Sequence, residues 1–387
     1  MQIHTVKEGD CLYSIARKYE VPVTKILADN DLCTDRLTIG DELIIMTPTR
    51  TLSVRGGDTL DGICKRFGVK ERDVLALNPS LMGKRKLRPG QILTVKQKSS
   101  YIGVGSAVGI AEKGCRYENL TRTLPYLTYL IINSAVIDNG GVSYTYNPEK
   151  NLDMAKGDKK ITLFGIRDNT DGEFLLSEAT REKIIDEAIS LAKDAGFCGI
   201  AISAGEGGEK YPTEFCDFLL LCRKKLIGCD MILFTEIFPS TPTDASEISD
   251  GAILHIDSSS PEKAKEHLKN FSDKAESSKV FIKLDSSIPL GDGEISISDA
   301  KELCYRCGSR LSLDKNSLQS GFEYTRYRNG ASEKIDISFP SLKLIKAELE
   351  ALCELGFMGI GFDVDNLPIS NLVLFGYLFA RADYSLP

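Results

Sequence analysis

The sequence predicts an α/β protein built around a (β/α)8 barrel with a small α+β insertion, preceded by two small α+β modules of βααβ order. Three observations predict this. The first hundred residues repeat themselves, with Gly9-Asp10 recurring as Gly57-Asp58. From about Tyr101 onward, strand-length apolar runs alternate with amphipathic helical stretches, the pattern of a parallel sheet with crossover helices. Eight such runs fall within residues 101–387, the number that closes a barrel. A chain of 387 residues also exceeds what one hydrophobic core usually serves, so more than one domain is expected.

In the repeat, Ile15 recurs as Ile63, Tyr19 as Phe67, Val21 as Val69, Leu27 as Leu75 and Asn30 as Asn78, all offset by 48. After a two-residue insertion Gly40 matches Gly90 and Leu43 matches Leu93. Each unit opens with a short alternating strand (4–6, 52–54) and a Gly-Asp turn, followed by two short helices, 12–19 and 24–28 in the first copy. A closing strand follows Gly40 or Gly90. The units therefore span 1–47 and 50–96, and the barrel spans 100–387.

The barrel strands are expected at 102–108, 129–137, 161–166, 199–203, 231–237, 252–257, 280–285 and 359–364. Helices between them are clear at 177–195, 213–226, 261–275 and 340–355; Pro340 and Ser341 suit a helix start and Gly356 its stop. Between the seventh and eighth strands lies an excursion, with a helix at 298–306 and strands at 322–327 and 334–338 around an Asn329-Gly330 turn.

Composition narrows the functional classes. Hydrophobic residues at 42% and charged residues at 27% are ordinary for a globular protein. The start M-Q-I-H-T-V-K-E-G-D has no basic segment leading into an apolar run, so no secretory signal is expected. No apolar stretch approaches the roughly 18 residues of a membrane helix. Eleven scattered cysteines, an odd number, predict free thiols rather than a disulfide framework, and Cys304 and Cys307 read as helix cysteines one turn apart. Residues 50–98 carry 12 Lys and Arg against 4 Asp and Glu, a net of +8, while the whole chain is −7. A basic module on an acidic bulk, without an arginine-and-aromatic surface, argues against nucleic acid. It suits an anionic polymer, or is simply a solvated lysine-rich face. Three histidines, His4, His255 and His267, do not make a metal site, and neither metal nor cofactor is expected.

The pieces H-T-V-K-E-G-D-C-L-Y-S-I-A-R-K-Y and L-S-V-R-G-G-D-T-L-D-G-I-C-K-R-F-G-V resemble the LysM module, a βααβ unit that binds N-acetylglucosamine-containing glycans. The resemblance implies a groove formed by Asp10, Cys11 and Leu12 with Asn30, Asp31 and Leu32 in the first copy. In the second copy it implies Asp58, Thr59 and Leu60 with Asn78, Pro79 and Ser80. Cys11 stands where the family usually has Thr, and a thiol is a weak hydrogen-bond donor. Asp10 and Asp58 are also placed to be capping carboxylates at a helix start, and the two roles can coexist.

The order of the remaining elements, and the pieces D-A-G-F-C-G-I-A-I-S and K-A-E-L-E-A-L-C-E-L-G-F-M-G-I-G-F-D-V, resemble the glycoside hydrolase family 18 branch that joins tandem LysM modules to a TIM barrel. Its known members are N-acetylglucosaminidases acting on spore-cortex fragments during germination. The family's fourth strand ends D-G-x-D-x-D-x-E; its acidic positions fall here on Cys198, Ala201, Ser203 and Gly205. The resemblance therefore puts Gly205 at the acid position and Ser203 where an Asp orients the substrate's acetamide. It puts Ile256 in place of a Tyr and Asp363 in place of a Trp, and the chain contains no Trp. Asp363 there is a desolvated charge that needs a partner. Glu206 sits one position late and reaches the mouth only through a local bulge. Glu236, Asp257, Asp285, Asp363 and Asp365 fall near strand ends, as ordinary loop carboxylates or as a separate acidic pocket for a cation or polar ligand.

Loss of a positioned general acid costs about 10²–10⁴-fold in rate. The expected function is thus binding of N-acetylglucosamine polymers, peptidoglycan or chitin type, by a silent family 18 homologue associated with the spore cortex or coat. The alternatives are an active N-acetylglucosaminidase using Glu206, and an assembly protein whose barrel contacts spore-coat proteins. Neither membrane nor nucleic acid is an expected partner.

Overall fold

The computed structural model describes residues 1–381 apart from 33, 79–80, 82–85, 98–99, 139–140, 239, 291–292 and 329–330. Eight parallel strands form the barrel: β1 (Gly103–Ala111), β2 (Tyr129–Asp138), β3 (Ile161–Asp168) and β4 (Gly199–Ser203). They continue as β5 (Ile232–Ile237), β6 (Gly251–His255), β7 (Val280–Lys283) and β8 (Gly359–Asp363). Each pairs with the next in order, and β8 pairs back onto β1 to close the ring. All eight expected runs are strands. β6 and β7 stop two residues early, which places Ile256, Asp257 and Asp285 in the loops at the mouth.

The barrel is filled, not open. Inward residues of β1 to β7 form one apolar cluster, in which the Tyr129 ring lies 4.9 Å from Phe234 and 5.8 Å from Phe281. Outward residues such as Leu130, Phe164, Ile202 and Ile282 pack under the surrounding helices. The helix Glu178–Ala195 shows why these segments start and stop where they do. The Ser177 hydroxyl accepts the Thr180 N–H, and Gly196 at φ 77° ends the helix.

Between β7 and β8 the chain builds a separate unit. It contains the hairpin Ser287–Leu290 with Gly293–Ser296, the helix Ile297–Arg306, and an antiparallel sheet of Ser312–Leu313, Gln319–Arg328 and Ala331–Pro340. Its own core includes Ile288, Ile297, Cys304, Phe322 and Phe339. The first hairpin is an addition to the elements expected from the sequence. Pro340 ends a strand rather than starting a helix; Ser341 alone caps Leu342–Glu354. The Asn329-Gly330 turn lies outside the described residues. Every described cysteine is free, and Cys33 lies outside the described residues.

The two N-terminal modules share one plan. Strands Gln2–Thr5 and Glu42–Ile45 pair in the first, Pro48–Ser53 and Ile92–Gln97 in the second, each pair packed on two helices. Leu43 and Ile45 face the first module's core as Leu93 and Val95 face the second's. The other strand face differs. Ile44 and Met46 join the barrel's own core cluster, whereas the matching residues are Thr94 and Lys96. A strand apolar on both faces is one buried on both faces.

Polar contacts fix the docking of this module. Lys343 Nζ is 2.6 Å from Glu42 Oε1, Lys301 is 2.7 Å from Asp41, Arg122 pairs with Asp31, and Leu311 N–H donates to Ile39 O at 2.9 Å. Gly40 (φ 88°) lies so close that a Cβ would sit 1.9 Å from Leu311 O; the matching Gly90 keeps the same conformation in open space. Among the described residues no helix is long and apolar enough to cross a membrane.

Glu42 is 4% exposed, while Lys343 keeps 38% of its side chain in water. Removing the lysine strands a buried carboxylate; neutralising the glutamate leaves a cation that can reach solvent. Lys343→Met is therefore expected to cost about 3 kcal/mol and Glu42→Gln about 1 kcal/mol in urea unfolding. Equal losses would contradict this account of the docking.

Candidate functional site

The glycan-binding residues implied by resemblance have distinct structural duties. The Asp10 carboxylate accepts the Lys7 N–H at 2.8 Å and lies 3.0 Å from His4 Nε2; Asp58 accepts the Arg55 N–H at 2.8 Å. Both close the Gly-Asp turn and neither caps a helix. The caps are the next residues: Cys11 Sγ accepts the Ser14 N–H at 3.4 Å, and Thr59 Oγ1 accepts the Gly62 N–H at 3.1 Å. Hydrogen bonds hold the Asp10 carboxyl below the usual range, the Lys7 N–H first among them. Leu12 and Leu60 are core residues, 2% and 6% exposed.

Asn30 and Asn78 are cross-braces. Asn30 Nδ2 donates to Ile26 O and Ile44 O, both at 2.9 Å, and its Oδ1 accepts the Ile44 N–H at 2.7 Å. Asn78 repeats the arrangement with Val74 O, Thr94 O and the Thr94 N–H. Their amides are occupied with backbone, tying the second helix to the closing strand. Asp31 (φ 56°) pairs with Arg122 of the barrel, and Leu32 packs against the module's own core. Pro79 and Ser80 lie outside the described residues.

At the barrel mouth, Ser203 ends β4 and donates to Glu236 Oε2 at 2.7 Å. His255 Nε2 is 3.8 Å from the same oxygen, and its ring stacks on Phe238 at 4.3 Å. Burial alone would raise the Glu236 carboxyl. The His255 contact, the charge of Lys283 and the Ser203 hydroxyl reverse this and hold it down to about 2. Asp363 has the partner its position demands, Lys283 Nζ at 2.7 Å. Glu112 Oε1 accepts from Asn133 Nδ2 at 2.7 Å and pairs with Arg167 at 2.5 Å, yet burial still lifts its carboxyl above the usual range. Ile256 is 9% exposed and apolar.

Gly205 adopts φ 50°, and a Cβ built on it would meet nothing within 4 Å. Backbone conformation, not space, is what disfavours a side chain there, by roughly 1–2 kcal/mol. After Ala204 the chain enters the short helix Gly205–Lys210, with Glu206 exposed in its first turn. Glu206 takes no part in the bonds that tie the mouth groups together.

Of the five carboxylates expected near strand ends, Glu236, Asp363 and Asp285 lie within reach of the Lys283 charge. Glu236 and Asp363 are bound as above. Asp365 accepts from the Arg116 N–H and Asn119, and Asp257 accepts the Ser259 N–H. Burial raises Asp285, the Lys283 and His255 charges notwithstanding. No three His, Cys, Asp or Glu are gathered as metal ligands among the described residues.

Lys283 and Arg167 escaped the sequence reading, which sought carboxylates, and Glu112 escaped it because β1 runs to Ala111 rather than to 108. A usable signal existed: in V-F-I-K-L-D, Lys283 lies two residues before Asp285, the spacing that a strand of 280–285 would put on one face. Glu348 was also missed. It sits on the helix Leu342–Glu354, 2% exposed, with neither carboxyl oxygen hydrogen-bonded, close to Ser258 and Asp285. Burial, reinforced by the Asp285 charge, pushes it up to about 8 against the partial relief of Ser258.

With this geometry in hand, likenesses to known proteins are informative. The LysM domain pattern matches residues 4–45 and 53–96. The crystal structure of the Bacillus megaterium spore cortex-lytic enzyme SleL superposes with a TM-score of 0.74 at 20% identity, covering 99% of both chains. A family 18 chitinase from Cycas revoluta, solved with (GlcNAc)4, matches 70% of this chain and 99% of its own at TM-score 0.59 and 11% identity. At such identities the likeness is one of fold. In sequence, a Bacillus subtilis protein bearing the name sporulation-specific glycosylase YdhD is 25% identical over 254 residues, 63% of this chain. The match spans only 60% of that protein's length. The chain thus joins two LysM domains to a barrel of the glycoside hydrolase family 18 fold.

Two outcomes follow for the braces and the buried acid. Asn78→Ala deletes three hydrogen bonds to buried backbone and is expected to cost about 3 kcal/mol in denaturant unfolding. A cost near zero would return the amide to glycan contact. Glu348 takes up a proton on folding, because its carboxyl titrates near 8 in the folded chain against an ordinary 4.5. Its contribution to stability therefore falls as pH rises from about 4.5 towards 8. Glu348→Gln removes that dependence, so its advantage over the wild type should widen by roughly 2–4 kcal/mol between pH 5 and pH 8. Parallel pH profiles would show that the carboxyl is ionised in the fold.

Proposed function

We propose that this chain is a binder of N-acetylglucosamine-containing glycan, peptidoglycan or chitin type, and that its family 18-type barrel is catalytically silent. Binding is the work of the LysM modules. The setting is the spore cortex or coat, in keeping with the cortex-lytic name of SleL and the sporulation-specific name of YdhD.

One observation carries the silence of the barrel: the acid position is a glycine in the left-handed region, and the surrounding positions are engaged with one another. Family 18 hydrolysis needs an acid to protonate the leaving oxygen and a clamp that holds the acetamide as it attacks, an exception to the two-carboxylate scheme. Glu236 is held ionised at neutral pH and is a poor proton donor. Ile256 offers no hydroxyl, and Asp363 is paired with Lys283 instead of presenting a ring face to a sugar.

Glu206 carries the opposing reading, an active N-acetylglucosaminidase, because it is the exposed carboxylate nearest the emptied position. Incubation of the full chain with cortical muropeptides and with chitooligosaccharides, followed by mass spectrometry, decides between them. The expected result is retention on purified peptidoglycan with no release of N-acetylglucosamine above buffer. Release abolished by Glu206→Gln would establish the enzyme.

Restoring Ser203→Asp and Gly205→Glu together should still give little turnover. The new aspartate would face Glu236 at hydrogen-bond distance, and the new glutamate would inherit φ 50°. The acetamide clamp would also be missing, and one donor supplies only part of transition-state complementarity. Turnover approaching that of an intact family 18 enzyme would overturn this account of the mouth.

A further inference from the structure

We infer that a neutral sugar unit of the glycan is held not by the first LysM module alone but in a cleft that this module forms with the barrel and the insertion. The inference rests on the glycan-binding reading above and extends it to residues outside the modules. The cleft has a volume of 420 Å³, within the roughly 300–1,000 Å³ of small-molecule sites. One wall is the module's own, with Asp31, Thr34, Arg36, Thr38 and Asp41. The others are the helix Tyr117–Thr123, the helix Ile297–Arg306 and the segment leaving β8.

Two features make it a built site. Ion pairs cross it from wall to wall, Arg122 to Asp31 and Lys301 to Asp41, so its width is set before a ligand arrives. Its lining is polar, with hydroxyls of Thr34 and Ser298, the amide of Asn119, and an aromatic ring, Tyr305, 39% exposed. Hydroxyls beside a part-exposed aromatic ring suit a pyranose, whose rim is polar and whose face is apolar.

Charge decides which sugar. Arg116, Arg122 and Lys301 are each spent on an acid, Asp365, Asp31 and Asp41 respectively, and Arg36 lies over the Tyr305 ring at 5.4 Å. Glu118 and Glu302 add exposed negative charge. An acidic unit, such as a carboxylate-bearing sugar or a peptide stem, meets repulsion here. An N-acetylglucosamine unit does not. The second module has no equivalent wall at its Gly90 turn, where the space is open. The cleft lining includes Val364 and Asp365, directly after Asp363 at the end of β8.

The test is hydrogen–deuterium exchange of the full chain with and without chitohexaose, paired with calorimetric titration of wild type and Tyr305→Ala. Slowed exchange in 30–43, 117–123 and 297–306 together is expected. Tyr305→Ala should weaken chitohexaose binding about fivefold or more, the usual cost of truncating a central aromatic contact, and should abolish the protection of 297–306. Protection confined to the module loops, with Tyr305→Ala binding as wild type, overturns the shared cleft while leaving LysM binding intact. No heat and no protection anywhere overturns both.

Discussion

The mouth of this barrel is organised around one buried cation. Lys283, 9% exposed, stands 2.7 Å from Asp363, and its charge also reaches Glu236, Glu112 and Asp285. Four carboxylates crowded at the end of a parallel barrel would repel one another across a poorly solvated space. The lysine makes their coexistence possible. Its position is set by strand register, opposite His255 on β6 and Gly361 on β8, so closure of the barrel and neutralisation of the mouth are the same event. Around this lysine the mouth groups form an ionic network of their own.

Much of the architecture was legible because it is written in short-range periodicity. Apolar runs between helices gave all eight strands, and a Gly-Asp turn repeated at a fixed offset gave both modules. The candidate site was legible only as a set of substitutions. Asn30 and Asn78 recur at the repeat offset for a reason internal to the fold, since each braces a helix to a strand. Recurrence marks an obligatory role without saying whether that role is recognition or construction. Lys283 and Arg167 find their partners on other strands, which sequence spacing does not reveal. Glu348 could have been found. It lies four and three residues after Leu344 and Ile345 and four before Leu352, on the buried face of its helix, amid charges that read as solvated.

The repeat is symmetric in sequence and asymmetric in context. Two residues, one on the outer face of a strand and one just past its end, account for this: Ile44 and Met46 against Thr94 and Lys96. The first pair lets a module that already has its own core join a second one. Once it is seated there, Gly40 can approach Leu311 and the ion pairs can form, each contact depending on a placement made by apolar burial.

That seating has a mechanical consequence. A module hung on a flexible linker lets a tugged polymer pull the linker taut and leaves the barrel slack. Here strain applied through the first module passes directly into the helices Leu342–Glu354 and Ile369–Leu378, which flank β8, with no compliant segment between. The module behaves as a rigid bracket instead of a tether, and the barrel bears the load of whatever the bracket grips.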